Sequence, residues 1–344
     1  MQSRRFGGAV PEHLQSHFLA LRPRLFNSDA FWDYWQQMAL PASYEQSVIL
    51  HETRFTPYFA AKGYIWDTYV NTDDLCGVFV NPIMACPAEL LQKRDCPFFK
   101  RRSLFTPYAD ELRRTDGCAA GELYRYVKAH TEFPVDLLLA SLLQTQPMAA
   151  LAKNLHWNYV IAEPAAEVPD LAALGLRLLR YTLPAADPVT DWYNKKASAD
   201  ADALLGHAAQ LFEKKPQLGV LSPALPLWQG CAAARRTQWQ RDAWTLAEKA
   251  AVPVGSDPLP APNCGWLLVR EASFLDGIPP CTTQRDAWQL ALTAQAAGYY
   301  AAAFETAAQA AARADVLDVY EADAARPAAV AKHLGRLIKH KLQK

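Results

Sequence analysis

The chain lacks an excess of charge of either sign, since its 344 residues include 35 Lys and Arg and 35 Asp and Glu. Balanced charge gives no general attraction to nucleic acid or to an acidic partner, so neither is predicted. A CxxC pair is also missing, and an odd count of 7 cysteines argues against a disulfide framework or a zinc ribbon. Although Cys76, Cys86 and Cys96 stand at intervals of ten, we expect buried free thiols in a reducing compartment.

Long apolar runs are missing as well. The opening MQSRRFGGAV carries two arginines without a following apolar region, so it does not predict a signal peptide. The longest apolar stretches, VDLLLASLL and LGLRLLRYTL, are too short or too charged to span a bilayer. A cytoplasmic protein is predicted. The pattern of residues 328–344 predicts a basic amphipathic helix, which would either contact anionic lipid at the inner face of the membrane or pack on its own domain.

The most informative stretch covers residues 13–64, which read HLQSHFLALRPRLFNSDAFWDYWQQM and, five residues later, SYEQSVILHETRFTPYFAAKGY. The apolar run at 17–21 has the length of a buried strand. The N-cap formers at 27–29 precede aromatics at helical spacing, which predicts a helix. A second helix then carries Glu52 and ends at Gly63, a residue typical of helix C-termini.

Two units are predicted along the chain. Residues 1–165 combine a mixed α/β start with a helical region, and residues 172–344 form the second unit after a linker rich in Pro and Ala. A faint repeat aligns 17–26 with 265–274, and Ala287 then stands where the first copy has Glu52. Duplication and coincidence both remain open; duplication predicts that the second unit performs no proton transfer.

Glu52 is the main candidate for chemistry. An inverting sugar transfer needs a carboxylate that takes the proton of the acceptor hydroxyl, and Glu52 follows the apolar run SVIL at what would be a cleft floor. The alternative is a glutamate in the first turn of a helix, stabilised by the helix dipole. No Gly-rich phosphate loop accompanies it.

Several motifs follow one another along the chain: HLQSHF, AFWDYW, HETRFTPYFAAKGY, CPFFKRR, AHTEFPVDLLLASLL, DWYNKKAS, LFEKKPQLGVLSP and AQAAGYY. In this order they resemble the rhamnan synthesis protein F family, and the resemblance covers most of residues 13–300. The resemblance implies an α/β fold of two incomplete nucleotide-sugar-transferase-like (GT-A-like) units joined by a helical region. It also implies transfer of a sugar, with dTDP-rhamnose as the suspected donor and a lipid-linked polysaccharide as the acceptor.

The resemblance extends to individual residues. Glu52 is the expected base, and the Gln15–Ser16 pair either hydrogen-bonds a sugar or caps the strand. Arg22 is either a diphosphate contact or an ordinary strand-end residue. Lys100 belongs to a basic cluster with two arginines that binds phosphate or simply faces solvent. Lys195 and Lys196 match the family's lysine pair, which would hold phosphates, although Tyr-Asn precedes them where His-Thr is usual.

Part of the family pattern is missing. Only twelve residues precede His13, where a donor-binding half with an acidic metal motif is expected. Either the chain is N-terminally truncated, as a fragment or a late-start gene model, or the protein has shed its donor site. Mg²⁺ can assist in the family, yet no ligand set for it and no other cofactor is visible. Two functions follow from this: a glycosyltransferase whose missing half is supplied, or a non-catalytic scaffold or acceptor-binding subunit of the same pathway.

Overall fold

The computed structural model describes residues 12–75, 81–106, 117–161, 167–184, 201–224, 229–260, 264–307 and 310. The fold is mixed α/β, as predicted. The chain divides into two compact units, one of residues 1–103 with 108–119, the other of residues 104–107 with 120–344. The predicted unit boundary between residues 165 and 172 stays a prediction.

The first unit is built from short helical elements in its described residues. In chain order they are α1 (Pro23–Phe26), α2 (Asp29–Gln36), α3 (Tyr44–Ser47), a π-helical turn (Val48–Glu52), α4 (Thr53–Ala61), a 3₁₀ turn (Asp73–Leu75), α5 (Pro82–Ala85) and α6 (Pro87–Lys93), followed by a 3₁₀ turn (Arg101–Leu104). Two apolar clusters hold them together. One centres on Phe31, Phe55 and Phe59, and the other on Ile83, Met84 and Leu90.

The predicted buried strand at 17–21 is wrong. The chain turns at residues 16–18, and the Phe18 side chain is 60% exposed. Leu19 and Leu21 do pack against the Phe31 cluster, so the alternation of an extended segment is real. A strand needs a neighbour to pair with. Within the described residues of the first unit none is present.

Both predicted helices of this stretch are confirmed. Ser28 caps α2, because its hydroxyl accepts a hydrogen bond from the Phe31 amide at 3.2 Å. The helix that carries Glu52 ends at Gly63, which has a left-handed φ of +80°. The Tyr64 amide then donates to the Phe59 carbonyl at 3.1 Å, which satisfies one of the last carbonyls of the helix.

The second unit surrounds a sheet with helices. Its described elements are α7 (Ala119–His130), α8 (Val135–Thr145), α9 (Met148–Leu155), β1 (Asn158–Ile161), β2 (Leu176–Arg180), α10 (Ala201–Lys214), β3 (Leu218–Pro223), α11 (Gln229–Ala250), β4 (Trp266–Arg270), a 3₁₀ turn (Glu271–Ser273), α12 (Gln284–Ala296) and β5 (Tyr300–Thr306). The helices α8 and α9 each begin directly after a proline, the position where a missing amide costs least.

The five described strands form one mixed sheet in the order β1-β5-β3-β4-β2. The strands β1, β5 and β3 run parallel to one another, whereas β4 is antiparallel to both β3 and β2. The strand β4 and its 3₁₀ turn match the strand-like run noted at 265–274. Because 17–26 forms no strand, the two copies of the faint repeat differ in structure; they share only the helix end at Gly63 and Gly298.

The start of α12 carries a reciprocal cap. The Thr283 hydroxyl accepts from the Asp286 amide at 3.2 Å, and the Asp286 carboxylate accepts from the Thr283 amide at 2.9 Å. The same carboxylate also accepts from the amide and hydroxyl of Thr282. Asp286, next to the Ala287 that aligns with Glu52, therefore serves to start a helix.

A search of the part of the chain that the structure describes found no helix with the length and apolar composition needed to cross a bilayer. The basic segment 328–344, predicted to contact a membrane or its own domain, lies outside the described residues.

Candidate functional site

Glu52 lies at the end of the π-helical turn, in the middle of a helical stretch that begins at Tyr44. It is therefore not a first-turn glutamate, so the dipole interpretation is wrong. The run SVIL before it is not buried either, because Ile49 is an exposed residue. Single π-helical turns occur frequently at functional sites, where the wider turn re-aims a side chain. The Glu52 side chain remains 24% exposed, which leaves its carboxylate accessible.

Ser16 and His13 each lie against one oxygen of the Glu52 carboxylate. Glu52 Oε2 accepts from the Ser16 amide at 3.0 Å and from the Ser16 hydroxyl at 2.5 Å. The other oxygen, Oε1, lies 3.8 Å from His13 Nε2. One turn later on the helix, the Thr56 hydroxyl accepts from the Leu14 amide at 2.9 Å. Residues 13–16 are thus hydrogen-bonded along the helix that carries Glu52 and Thr56, and two of these bonds are donated to one oxygen of Glu52.

A second polar group continues from this segment. Lys100 Nζ donates to Gln15 Oε1 at 2.9 Å, and Gln15 Nε2 makes a longer contact of 3.4 Å with Asn81 Oδ1. Burial lowers the pKa of Lys100, while the nearby Glu52 carboxylate acts to raise it. Burial, and then Lys100, lower the pKa of His17, again opposed by Glu52. The carboxylate therefore belongs to one electrostatic group with Lys100 and His17.

A cavity of about 1040 Å³ lies beside these residues, at the upper limit of the usual size of ligand pockets. His13, Gln15 and His17 line it at the end near Glu52. Its walls come from the segment 12–25, from α4, from the chain between 64 and 73 and from α5 and α6. Aromatic side chains in the lining are those of Phe18, Phe55, Phe59, Tyr64, Trp66, Tyr69 and Phe98. Arg22 and Arg24 also line this cavity, so it offers both aromatic faces and cations to a ligand.

The predicted site residues divide into three groups. Gln15, Ser16, Glu52 and Lys100 lie together, because Ser16 hydrogen-bonds Glu52 and its chain neighbour Gln15 accepts from Lys100. Arg22 is exposed and lines the cavity, but among the described residues its side chain makes no hydrogen bond to that group. Lys195 and Lys196 lie outside the described residues.

Sequence reasoning gave His13 little weight and did not single out His17, Thr56 or Asn81. The pattern of polar residues at 13 and 15–17 in HLQSH was the available signal, since such a density of polar side chains beside an apolar run is unusual for a strand end. Thr56 carried no comparable signal, because a threonine inside an aromatic helix is ordinary.

The described residues do not fit a Mg²⁺ site. No group of three or more His, Cys, Asp or Glu side chains in the described part of the chain could hold a metal ion. His13 lies 3.8 Å from Glu52 Oε1, and its imidazole is a poor ligand for Mg²⁺. Of the acidic pair at 73–74, Asp73 lines the cavity, whereas Asp74 is held by Arg94 through both carboxylate oxygens at 2.7 Å.

Comparisons with known proteins give one positive finding. Residues 3–172 match the family model described as rhamnan synthesis protein F. No curated protein and no solved structure matches the chain. The matched range contains Glu52, Ser16, Gln15 and Lys100, whereas the motifs noted after residue 172 stay a prediction. Over residues 3–172, the chain therefore belongs to the rhamnan synthesis protein F family, which implies a part in the synthesis of a polysaccharide, rhamnan.

Proposed function

We propose that the chain acts as a glycosyltransferase in rhamnan synthesis, moving a sugar from a nucleotide-sugar donor to a growing polysaccharide. The observation that carries the proposal is the convergence of Ser16 and His13 on the Glu52 carboxylate, beside a cavity of about 1040 Å³. Family membership narrows the chemistry to polysaccharide synthesis. The proposed donor is dTDP-rhamnose, and the proposed acceptor is a lipid-linked polysaccharide.

Glu52 is the base in this proposal. The acceptor hydroxyl gives its proton to Glu52 Oε1 as its oxygen bonds to the anomeric carbon, and the bond from that carbon to the diphosphate oxygen breaks. The two donors of Ser16 on Oε2 fix the orientation of the carboxylate and leave Oε1 for the acceptor. His13, at 3.8 Å from Oε1, is close enough to position the same hydroxyl.

Cations neutralise the leaving diphosphate in this proposal. Lys100 hydrogen-bonds Gln15, which lines the cavity beside Glu52, and Arg22 and Arg24 line the same cavity. Guanidinium groups bind phosphate oxygens in a bidentate manner, which suits a departing diphosphate. Since the described residues do not fit Mg²⁺, no step of the proposal depends on a metal ion.

The fold part of the proposal is a GT-A-like relationship. What supports it is the second unit's sheet, in which parallel strands are combined with an antiparallel one. In open sheets of this kind, ligands bind beyond the carboxyl ends of the parallel strands. Residues 162–166 and 225–228, which follow β1 and β3, lie outside the described residues.

The direct test measures dTDP release from dTDP-rhamnose with p-nitrophenyl α-rhamnoside as the probe acceptor. Glu52→Gln keeps the shape of the side chain but removes the proton acceptor, so the rate should fall by about a hundredfold or more. Glu45→Gln is the matched control, since Glu45 is an exposed glutamate of the same helical stretch, and its rate should stay within about twofold of wild type.

Each outcome decides between the candidate functions. Release by the wild type, lost only in Glu52→Gln, supports the transferase with Glu52 as base. Normal turnover in Glu52→Gln removes that residue from the mechanism. Binding of the rhamnoside without any dTDP release contradicts the transferase and leaves a non-catalytic acceptor-binding subunit.

A further inference from the structure

Three tyrosines, three cations and one carboxylate lie together in the second unit, near the amino-terminal ends of two parallel strands. We call them the tyrosine–lysine cluster; its members are Tyr124, Arg125 and Lys128 of α7, Asp136 of α8, Tyr159 of β1, Lys215 just after α10, and Tyr300 of β5. Four different elements and the residue after α10 contribute to it, so its assembly depends on the fold of the unit. No predicted site residue belongs to it.

Asp136 is the anionic member of the cluster. Its Oδ1 accepts from the Tyr124 hydroxyl at 2.5 Å, and Lys128 Nζ donates to Oδ1 at 3.1 Å and to Oδ2 at 2.8 Å. One cation therefore uses both oxygens of the carboxylate. Gln217 holds the backbone carbonyl of Asp136 through its side-chain amide, which fixes the start of α8 against the chain that leads into β3.

The other two cations have no carboxylate of their own. Neither Arg125 nor Lys215 makes an ion pair with any residue that the structure describes. Lys215 lies with its Nζ 5.9 Å from the centre of the Tyr159 ring. Burial, then Lys128 and Arg125, lower the pKa of Lys215, and only Asp136 opposes them. With three cations and one carboxylate, the cluster has a surplus of about two positive charges at neutral pH.

The tyrosine hydroxyls add a spare donor. The hydroxyls of Tyr159 and Tyr300 are 3.0 Å apart, so one donates to the other. Two hydroxyl groups carry two protons, and a single shared hydrogen bond uses one of them. Burial raises the pKa of Tyr159 to about 12, so both remain protonated at neutral pH. Trp157 stacks on the Tyr300 ring with centroids 4.1 Å apart, which holds that ring in place.

We propose that the tyrosine–lysine cluster is a binding site for a phosphate or diphosphate group. Three neighbouring cations with surplus positive charge and a spare hydroxyl donor match the needs of phosphate oxygens, which are acceptors only. Such an anion would reduce the mutual repulsion of Arg125, Lys128 and Lys215. The proposal does not depend on the sugar-transfer proposal, because it rests on different residues in the other unit.

Isothermal titration of the full chain with inorganic pyrophosphate tests the site, with inorganic phosphate and dTDP as the other arms. Lys215→Gln and Arg125→Gln should each weaken pyrophosphate binding by about tenfold, the size expected for one charge-assisted hydrogen bond. Lys214→Gln is the matched control, since Lys214 is an exposed neighbour, and it should change the affinity by less than about twofold. Raising the salt concentration should weaken binding in the wild type.

Circular dichroism of each variant separates lost binding from lost folding. Arg125 is exposed on α7, so its variant keeps the test valid even where Lys215→Gln fails to fold. Tighter binding of dTDP than of pyrophosphate, with the same sensitivity to both variants, would identify a nucleotide as the ligand. Pyrophosphate binding that is absent in the wild type, or that survives both variants and disappears in Lys100→Gln, would overturn the proposal.

Discussion

Replacing Gln295 with leucine tests how the second unit is held together. Gln295 is fully buried on α12, and its Nε2 donates to the carbonyls of Leu143 at 2.7 Å and Gln146 at 3.1 Å. Both carbonyls belong to the C-terminal end of α8, where the last carbonyls of a helix have no donor within the helix. One side chain thus serves as a C-terminal cap for a helix more than a hundred residues earlier in the chain.

The expected cost follows from these contacts. Two hydrogen bonds contribute about 1 kcal/mol each, and two buried carbonyls left without a donor cost about 1 kcal/mol each. Leucine also removes the amide oxygen of Gln295, which has no hydrogen-bond partner, and adds apolar burial. These two effects together stabilise the variant by about 1 kcal/mol. The net loss of unfolding free energy is therefore about 3 kcal/mol, a large share of the stability of an ordinary domain.

Gln289→Leu provides the matched control on the same helix. The side-chain oxygen of Gln289 is buried without a hydrogen bond, so removing this oxygen breaks no hydrogen bond. We expect a change within about 1 kcal/mol, or a slight stabilisation. Urea unfolding followed by near-ultraviolet circular dichroism measures both variants, and Gln295→Leu should lower the midpoint by about 1 M. Equal shifts for the two variants would refute the capping role of Gln295.

Three further predictions concern single positions. In Gly219→Ala a new Cβ would lie 2.7 Å from the Tyr299 Cβ, so the free energy of unfolding should fall by about 2–3 kcal/mol. Gly255→Ala is the control, because the nearest atom to its new Cβ lies 3.4 Å away, and its free energy of unfolding should change little when both variants are measured by calorimetry. Burial acts to raise the pKa of Asp286, but hydrogen bonds from the capping threonines hold it below its usual value. The stability it contributes should therefore be present above about pH 4 and be lost as the pH falls further, and in acid titrations Asp286→Ala should lack that loss. Ser16→Ala removes one of two donors to the Glu52 carboxylate and should slow dTDP release by about tenfold; a loss equal to that of Glu52→Gln would contradict a positioning role.

The local elements of the first unit could be predicted from the sequence, because their signals are local. A serine before an aromatic helix and a glycine after the Glu52 helix each act through hydrogen bonds within a few residues. The strand at 17–21 could not be judged in this way, since a strand requires a partner that the segment itself does not specify. Its alternating leucines do face the core, which explains why the pattern was misleading.

The candidate site was predictable in its residues but not in its connections. Glu52, Ser16, Gln15 and Lys100 came from a family resemblance, and the structure links them across as many as 85 positions. His13 was undervalued, because its role depends on the approach of the 13–16 segment to a helix some forty residues later. The tyrosine–lysine cluster has no motif in the chain, since its members come from five separate segments and share only a place in the fold.

The position of β5 has a consequence for how the second unit is made. Within the described sheet, β1 pairs with β5 alone, and some 140 residues separate the two strands. The closing of so long a loop is a slow step in folding, because its entropy is lost before the contacts form. During synthesis, β1 must therefore wait unpaired until residue 306 has left the ribosome. The residues of the first unit are all available long before, so the two units should mature at different times on the same nascent chain.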